Sequence, residues 1–152
     1  MVDRRTTGSW LEGPASLTRA PGDYPGRRLG LPEQGPGSVA RFGRRLVAVC
    51  VDWFLALLIA RVALGVEDWN ALQWATLAVF TVLNTVLVGT LGGCVGHRLL
   101  GLKVVRLDGT EAGLARGAAR SVLLSLAVPA LIWDRDQRGM HDRLVGTVLR
   151  RV

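Results

Sequence analysis

Lysine and tyrosine each occur once in this 152-residue chain, and cysteine and histidine only twice. Cys50, Cys94, His97 and His141 give no close ligand spacing of the kind a zinc site uses, so no metal or other cofactor is expected. Two cysteines in or beside apolar runs read as buried reduced thiols. The chain has no Ser/His/Asp spacing and no pair of catalytic carboxylates. His141 and Asp142 are adjacent, so in any regular element they point in different directions. Enzymatic activity is not expected. No secretory signal is visible either, because the first apolar run begins only near Leu46 and is long enough to remain in a bilayer.

What is present is apolar and basic. Hydrophobic residues make up 49% of the chain, and mean hydropathy is +0.30 despite a polar first forty residues. Net charge is +7, carried by eighteen arginines and one lysine. These charges flank apolar runs instead of lining a separate polar domain, which favours membrane orientation over nucleic-acid binding. Residues 1–37 hold five of the six prolines and seven glycines without apolar periodicity. Such a segment cannot bury enough surface to offset its conformational entropy, and it reads as a disordered tail ahead of a membrane domain at 38–152.

From Ser38, a candidate helix N-cap, a basic lead-in with Arg41, Arg44 and Arg45 precedes a first span over about residues 45–64. A bilayer-spanning helix needs roughly 20 predominantly apolar residues, and past Arg45 this stretch carries only Asp52 and Arg61 as charges. Ala48, Asp52, Ala56 and Ala60 recur every four residues, forming one small-residue row that suits close helix packing in lipid. That row turns the Asp52 carboxylate toward protein. An ionisable group within a span is expensive and is a functional hypothesis by default. Arg45 is two helical turns earlier on nearly the same face, about 10 Å along the axis, so a water or a third group between the two is expected.

The acidic link from Gly65 to Asn70, with Trp69 and Trp74 at the interface, suits the external side. A second span then covers about residues 71–89. Gln73, Thr76 and Asn84 fit one stripe with Phe80 between them, and Asn84 should approach Asp52. The four glycines from Gly89 to Gly96 lack the Lys-Ser/Thr ending of a phosphate-binding loop, which excludes that reading. Leu102 to Leu107 alternates like a strand and ends at the turn Asp108-Gly109. Its natural partner is Gly146 to Leu149. A third apolar segment, about 114–133, is interrupted by Arg116, Arg120 and Pro129, and its clean run of thirteen residues falls short of a span. A segment that lies in the interface, or dips in and returns, keeps the Arg-rich end inside and permits the strand pairing. The expected fold is an all-α membrane protein with two to three transmembrane helices, a disordered N-terminal tail and a short cytoplasmic pairing resembling a β-hairpin.

Three stretches in order resemble the RDD family of small membrane proteins, named for one arginine and two aspartates. They are Arg45, Ala48 and Asp52 in an Arg-x-x-Ala-x-x-x-Asp pattern, the run from Gly96 to Val105, and the closing run from Gln137 to Val148. The resemblance implies that the named trio is Arg45, Asp52 and Asp142. The chain departs from it at His97, where lysine is usual, at Cys94, where threonine is common, and in a short region between Arg120 and Asp134. The resemblance implies a largely uncharacterised activity, with transport suggested and cation/proton exchange proposed for some members.

Two roles compete for the polar residues. In transport, Asp52 is a titratable or cation-coordinating carboxylate, Arg45 tunes it and Asn84 is a neutral ligand. In the alternative, Arg45, Asp52 and Asp142 form a folding clamp in a structural or accessory subunit. The expected setting is a multi-pass inner or plasma membrane protein with a cytoplasmic N-terminus. Its expected partners are the lipid bilayer and further copies of itself, because two packed spans leave little room for a pathway. The transported ion is not specified by the sequence, and no nucleic-acid partner is expected.

Overall fold

The structure, a computed structural model, describes residues 24–126 and 138–152. A 3-10 turn at Arg27–Leu29 leads to helix α1 (Phe42–Leu58), which continues through a π-helical turn at Ile59–Ala63. There follow α2 (Trp69–Leu91), the short α3 (Val95–Leu99), strand β1 (Leu102–Arg106), α4 (Gly113–Ser125), α5 (Met140–Val145) and strand β2 (Thr147–Arg151). The helical stretches Phe42–Ala63 and Trp69–Leu91 are long and apolar enough to cross a membrane.

On α1 the buried residues are Arg45, Ala48, Asp52 and Ala56, followed by Ala60 in the π-turn, which is the small-residue row expected from the spacing. Leu46, Val47, Phe54, Leu58 and Val62 on the other faces are exposed, as lipid-facing side chains would be. The Asp68 carboxylate caps α2 by accepting from the Ala71 N–H at 2.8 Å. Its buried row is Leu72, Thr76, Phe80, Asn84 and Val88, again at intervals of four. Gln73 is exposed, a correction to the stripe expected from sequence. It lies one position off the row that begins at Leu72, which is about 100° around the helix.

The short strands pair antiparallel, with Val104 opposite Leu149 and Val105 opposite Val148. This places the stretch that follows α3 beside the C-terminal end of the chain. The segment before α1 lines the free edge of β2: Ala40 N–H donates to Leu149 O, and Val39 bridges to Arg150. Ser38 does not cap α1. Its hydroxyl donates to Gly35 O at 2.6 Å, closing a turn one strand-length ahead of the helix. Residues 24–37, assigned by composition to the tail, therefore contribute to the fold. Leu31 is buried with Val39, Val105 and Val148, and Leu29 packs against them. Proline and glycine counts mask these two leucines, whose burial draws the segment onto the sheet. Tail residues 1–23 lie outside the described residues.

Helix α4 runs antiparallel to α2. Gly117 lies against Gly89, where an added Cβ would sit 3.0 Å from the Gly89 Cα, so the helices cross on paired glycines. Further along, the Thr81 and Ser125 hydroxyl oxygens are 2.5 Å apart. The helix thus descends from the end of α2 to about its midpoint, and α5 then leads back to β2. The start of the expected third membrane segment is this half-length helix, and residues 127–133 lie outside the described residues.

Candidate functional site

Two buried polar clusters sit where α1, α2, α4 and α5 meet. The first centres on Asp142, which is fully buried. Its Oδ1 accepts from Arg120 Nε at 2.7 Å and from the Thr147 hydroxyl at 3.1 Å. Its Oδ2 lies 3.5 Å from both Arg45 Nη1 and His141 Nε2. Arg45 also donates to the carbonyls of Ala40 and Leu149, so one guanidinium joins the lead-in, α1, α5 and β2. Burial alone would raise the Asp142 carboxyl, but Arg120, His141 and Arg45 outweigh it and hold the group well below the usual carboxylate range.

The second cluster centres on Asp52. Its Oδ1 accepts from the Gly96 backbone N–H at 2.8 Å, and its Oδ2 lies 3.8 Å from His97 Nδ1. This approach requires glycine at position 96, because a Cβ there would collide with the Ala48 carbonyl. His97 Nδ1 accepts from the Cys94 N–H at 3.3 Å, which places the ring proton on Nε2. Burial and the nearby Arg120 lower the His97 imidazole to about 3. It is therefore neutral at physiological pH, and its approach to Asp52 is not an ion pair. Cys94 is 1% exposed, and its thiol donates to Asn84 Oδ1 at 2.9 Å. Burial and the Asp52 carboxylate push that thiol up to about 12. Asn84 Nδ2 donates to Phe80 O, which turns its oxygen toward Cys94.

The four residues singled out by sequence are therefore divided between the clusters. Arg45 meets Asp142. Asp52 belongs instead with Gly96 and His97, which corrects the expectation that Arg45 tunes Asp52 and that one clamp holds the whole trio. Asn84 and Asp52 converge on the same turn, with Cys94 between them. Sequence reasoning missed Arg120, which it read as an interruption of an apolar run. It also missed Cys94 and His97, dismissed because ligand spacing was judged without Asp52. The two single-residue departures from the family motif, Cys94 and His97, lie in this second cluster.

A cleft of about 390 Å³ opens between α1, α2 and α4. Trp53, Phe80 and Leu124 line its apolar part, and His97, Arg120 and Asp142 its polar floor. Arg120 Nη1 is buried there without a hydrogen-bond partner among the described residues.

Fold and site together define a small helical protein with two membrane-length apolar helices, fastened at one end by buried arginine–aspartate pairs and a two-stranded sheet. The RDD family model matches residues 39–146, and the chain belongs to the RDD family. No curated protein and no solved structure matches it.

Proposed function

We propose that this protein acts in cation movement across the cell membrane as a multi-pass, non-enzymatic assembly of several copies. Asp52 is the cation-coordinating carboxylate, and Arg45, Asp142 and Arg120 hold the fold around it. One observation carries the reading. Asp52 is buried on a membrane-length helix, yet the guanidinium pairing that would neutralise it is directed to Asp142 instead. A carboxylate left outside the buried pairs is available to an exchangeable cation. The cleft reaches His97, whose ring lies beside the Asp52 carboxylate.

The charge distribution supports a cytoplasmic N-terminus. Arg41, Arg44, Arg98, Lys103, Arg150 and Arg151 lie near the end where the sheet forms, whereas Arg61, paired with Glu67, marks the other end. The clamp is the second reading, favoured by the burial of Asp142 between two arginines. It accounts for Arg45 and Asp142, whereas Asp52 lies outside it and fastens α1 only to the Gly96 turn.

The test is flux in proteoliposomes enclosing a pH-sensitive dye, with pulses of sodium, potassium and zinc salts. The Asp52→Asn protein should insert at normal abundance and lose cation-coupled proton movement. Full flux from that variant would overturn the proposal, as would the absence of flux from the unaltered protein with all three cations.

A further inference from the structure

The second cluster brings together three different electron-pair donors from distant parts of the chain. One Asp52 oxygen, Cys94 Sγ and a His97 ring nitrogen all lie within 4.8 Å of one another. The residues are 5%, 1% and 2% exposed. Asn84 Oδ1 stands 2.9 Å from the same sulfur, held in orientation by the Phe80 carbonyl. We propose that Asp52, Cys94, His97 and Asn84 form a four-coordinate site for a thiophilic divalent cation, of which zinc is the best fit.

Distance, charge and ligand type each support this assignment. Around tetrahedral zinc, with bonds of roughly 2.0–2.3 Å, neighbouring ligand atoms sit about 3.3–3.8 Å apart. Asp52 Oδ2 and His97 Nδ1 are already 3.8 Å apart, and the Cys94 sulfur and Asn84 oxygen, 2.9 Å apart, must separate slightly to admit the ion. A thiolate and a carboxylate supply two negative charges and an imidazole and an amide supply none, so a dication gives a neutral buried unit. A monovalent ion would leave one negative charge uncompensated in a dry site. The sulfur ligand favours zinc over magnesium or calcium, which take oxygen.

The binding step balances simply. The Cys94 thiol loses its proton, sulfur, oxygen and nitrogen donate to the ion, and one proton leaves for each ion bound. His97 exchanges its long hydrogen bond from the Cys94 N–H for a coordination bond. The site shares Asp52 with the proposed cation pathway and rests on that reading only for its physiological use, since occupancy is measured without flux.

The experiment uses the purified full chain in detergent, with zinc and cobalt(II) as probes. Dialysis against zinc should retain one equivalent per chain and release one proton per ion into weakly buffered medium. Cobalt should give a thiolate charge-transfer band and the intense visible bands of tetrahedral coordination. Cys94→Ser and His97→Gln should each lose the stoichiometric ion, Asn84→Ala should weaken binding roughly 10–100-fold, and Cys50→Ser should change nothing. Should Cys94→Ser fail to fold, the cobalt thiolate band of the Cys50→Ser protein, in which Cys94 is the one remaining cysteine, gives the same answer. Absence of a retained ion overturns the inference, as does a cobalt band that depends on Cys50 or zinc binding that survives both Cys94→Ser and His97→Gln. Sodium- or potassium-coupled flux without zinc binding removes this inference alone. Zinc binding without flux of any cation removes the transport reading alone.

Discussion

The Gly96 backbone N–H donates to Asp52 Oδ1 across 2.8 Å, tying the middle of the first membrane-length helix to a turn 44 residues later. The bond exists because α3 lies against α1 with no side chain between them, Gly96 resting on the Ala48 backbone. The Asp52 environment is consequently as sensitive to a methyl group at position 96 as to a change of the carboxylate itself.

Gly96→Ala should force α3 away from α1, costing roughly 1–3 kcal/mol as overpacking of a close contact does. Thermal unfolding in detergent measures this. A midpoint equal to that of the unaltered protein would show that α3 does not lie on Ala48.

The arginine pairing predicts a specific non-additivity. Asp142→Asn leaves Arg45 and Arg120 buried without their counter-charge and should cost about 3–5 kcal/mol, whereas Arg120→Met combined with Asp142→Asn should cost less than the sum of the two changes. Folded fraction across a denaturant series measures both. Simple additivity would argue against direct pairing.

The same cluster fixes a pH dependence. Opposed by burial but dominated by Arg120, His141 and Arg45, the Asp142 carboxyl is lower in the folded protein than its ordinary 3.8. The unfolded state therefore binds the proton first on acidification, so the stabilisation is complete above about pH 4 and is lost only as pH falls below it. The stability difference between the unaltered protein and Asp142→Asn should be constant from pH 7 to 5 and shrink below about pH 4. A difference that vanishes near pH 6 would assign it to a histidine.

Sidedness follows from the sheet. Because Val39 bridges to Arg150 and β1 pairs with β2, a reporter fused after Val152 and one placed ahead of residue 24 should be active on the same side of the membrane. A reporter inserted in the link at Glu67 should be active on the other. Opposite signals from the two ends would be incompatible with the pairing.

Periodicity made the packing rows readable in the sequence. Small residues every four positions identify the buried face of α1, and alternation next to Asp108-Gly109 marks β1 and points to its partner. Both are local patterns. Arg120 belongs to no such pattern, since its importance arises only when α4 packs against α2 and faces α5. Cys94 and His97 stand three residues apart at the start of a helical turn, a spacing that places both side chains on one side. That signal was present, but the ligand that completes it comes from α1. Leu29 and Leu31 were obscured because composition averages over a segment, whereas burial depends on individual side chains.

The separation of Arg45 from Asp142 by 97 positions also bears on biosynthesis. At about 5–20 residues per second, a ribosome takes on the order of 5–20 s to reach the aspartate after making the arginine. By about the middle of that interval both apolar helices have been synthesised, while the charge at the base of the first still has no carboxylate to meet. Arg45 acquires its carboxylate and its Leu149 carbonyl only when α5 and β2 arrive, so closure of the sheet and burial of the charge form a single late event.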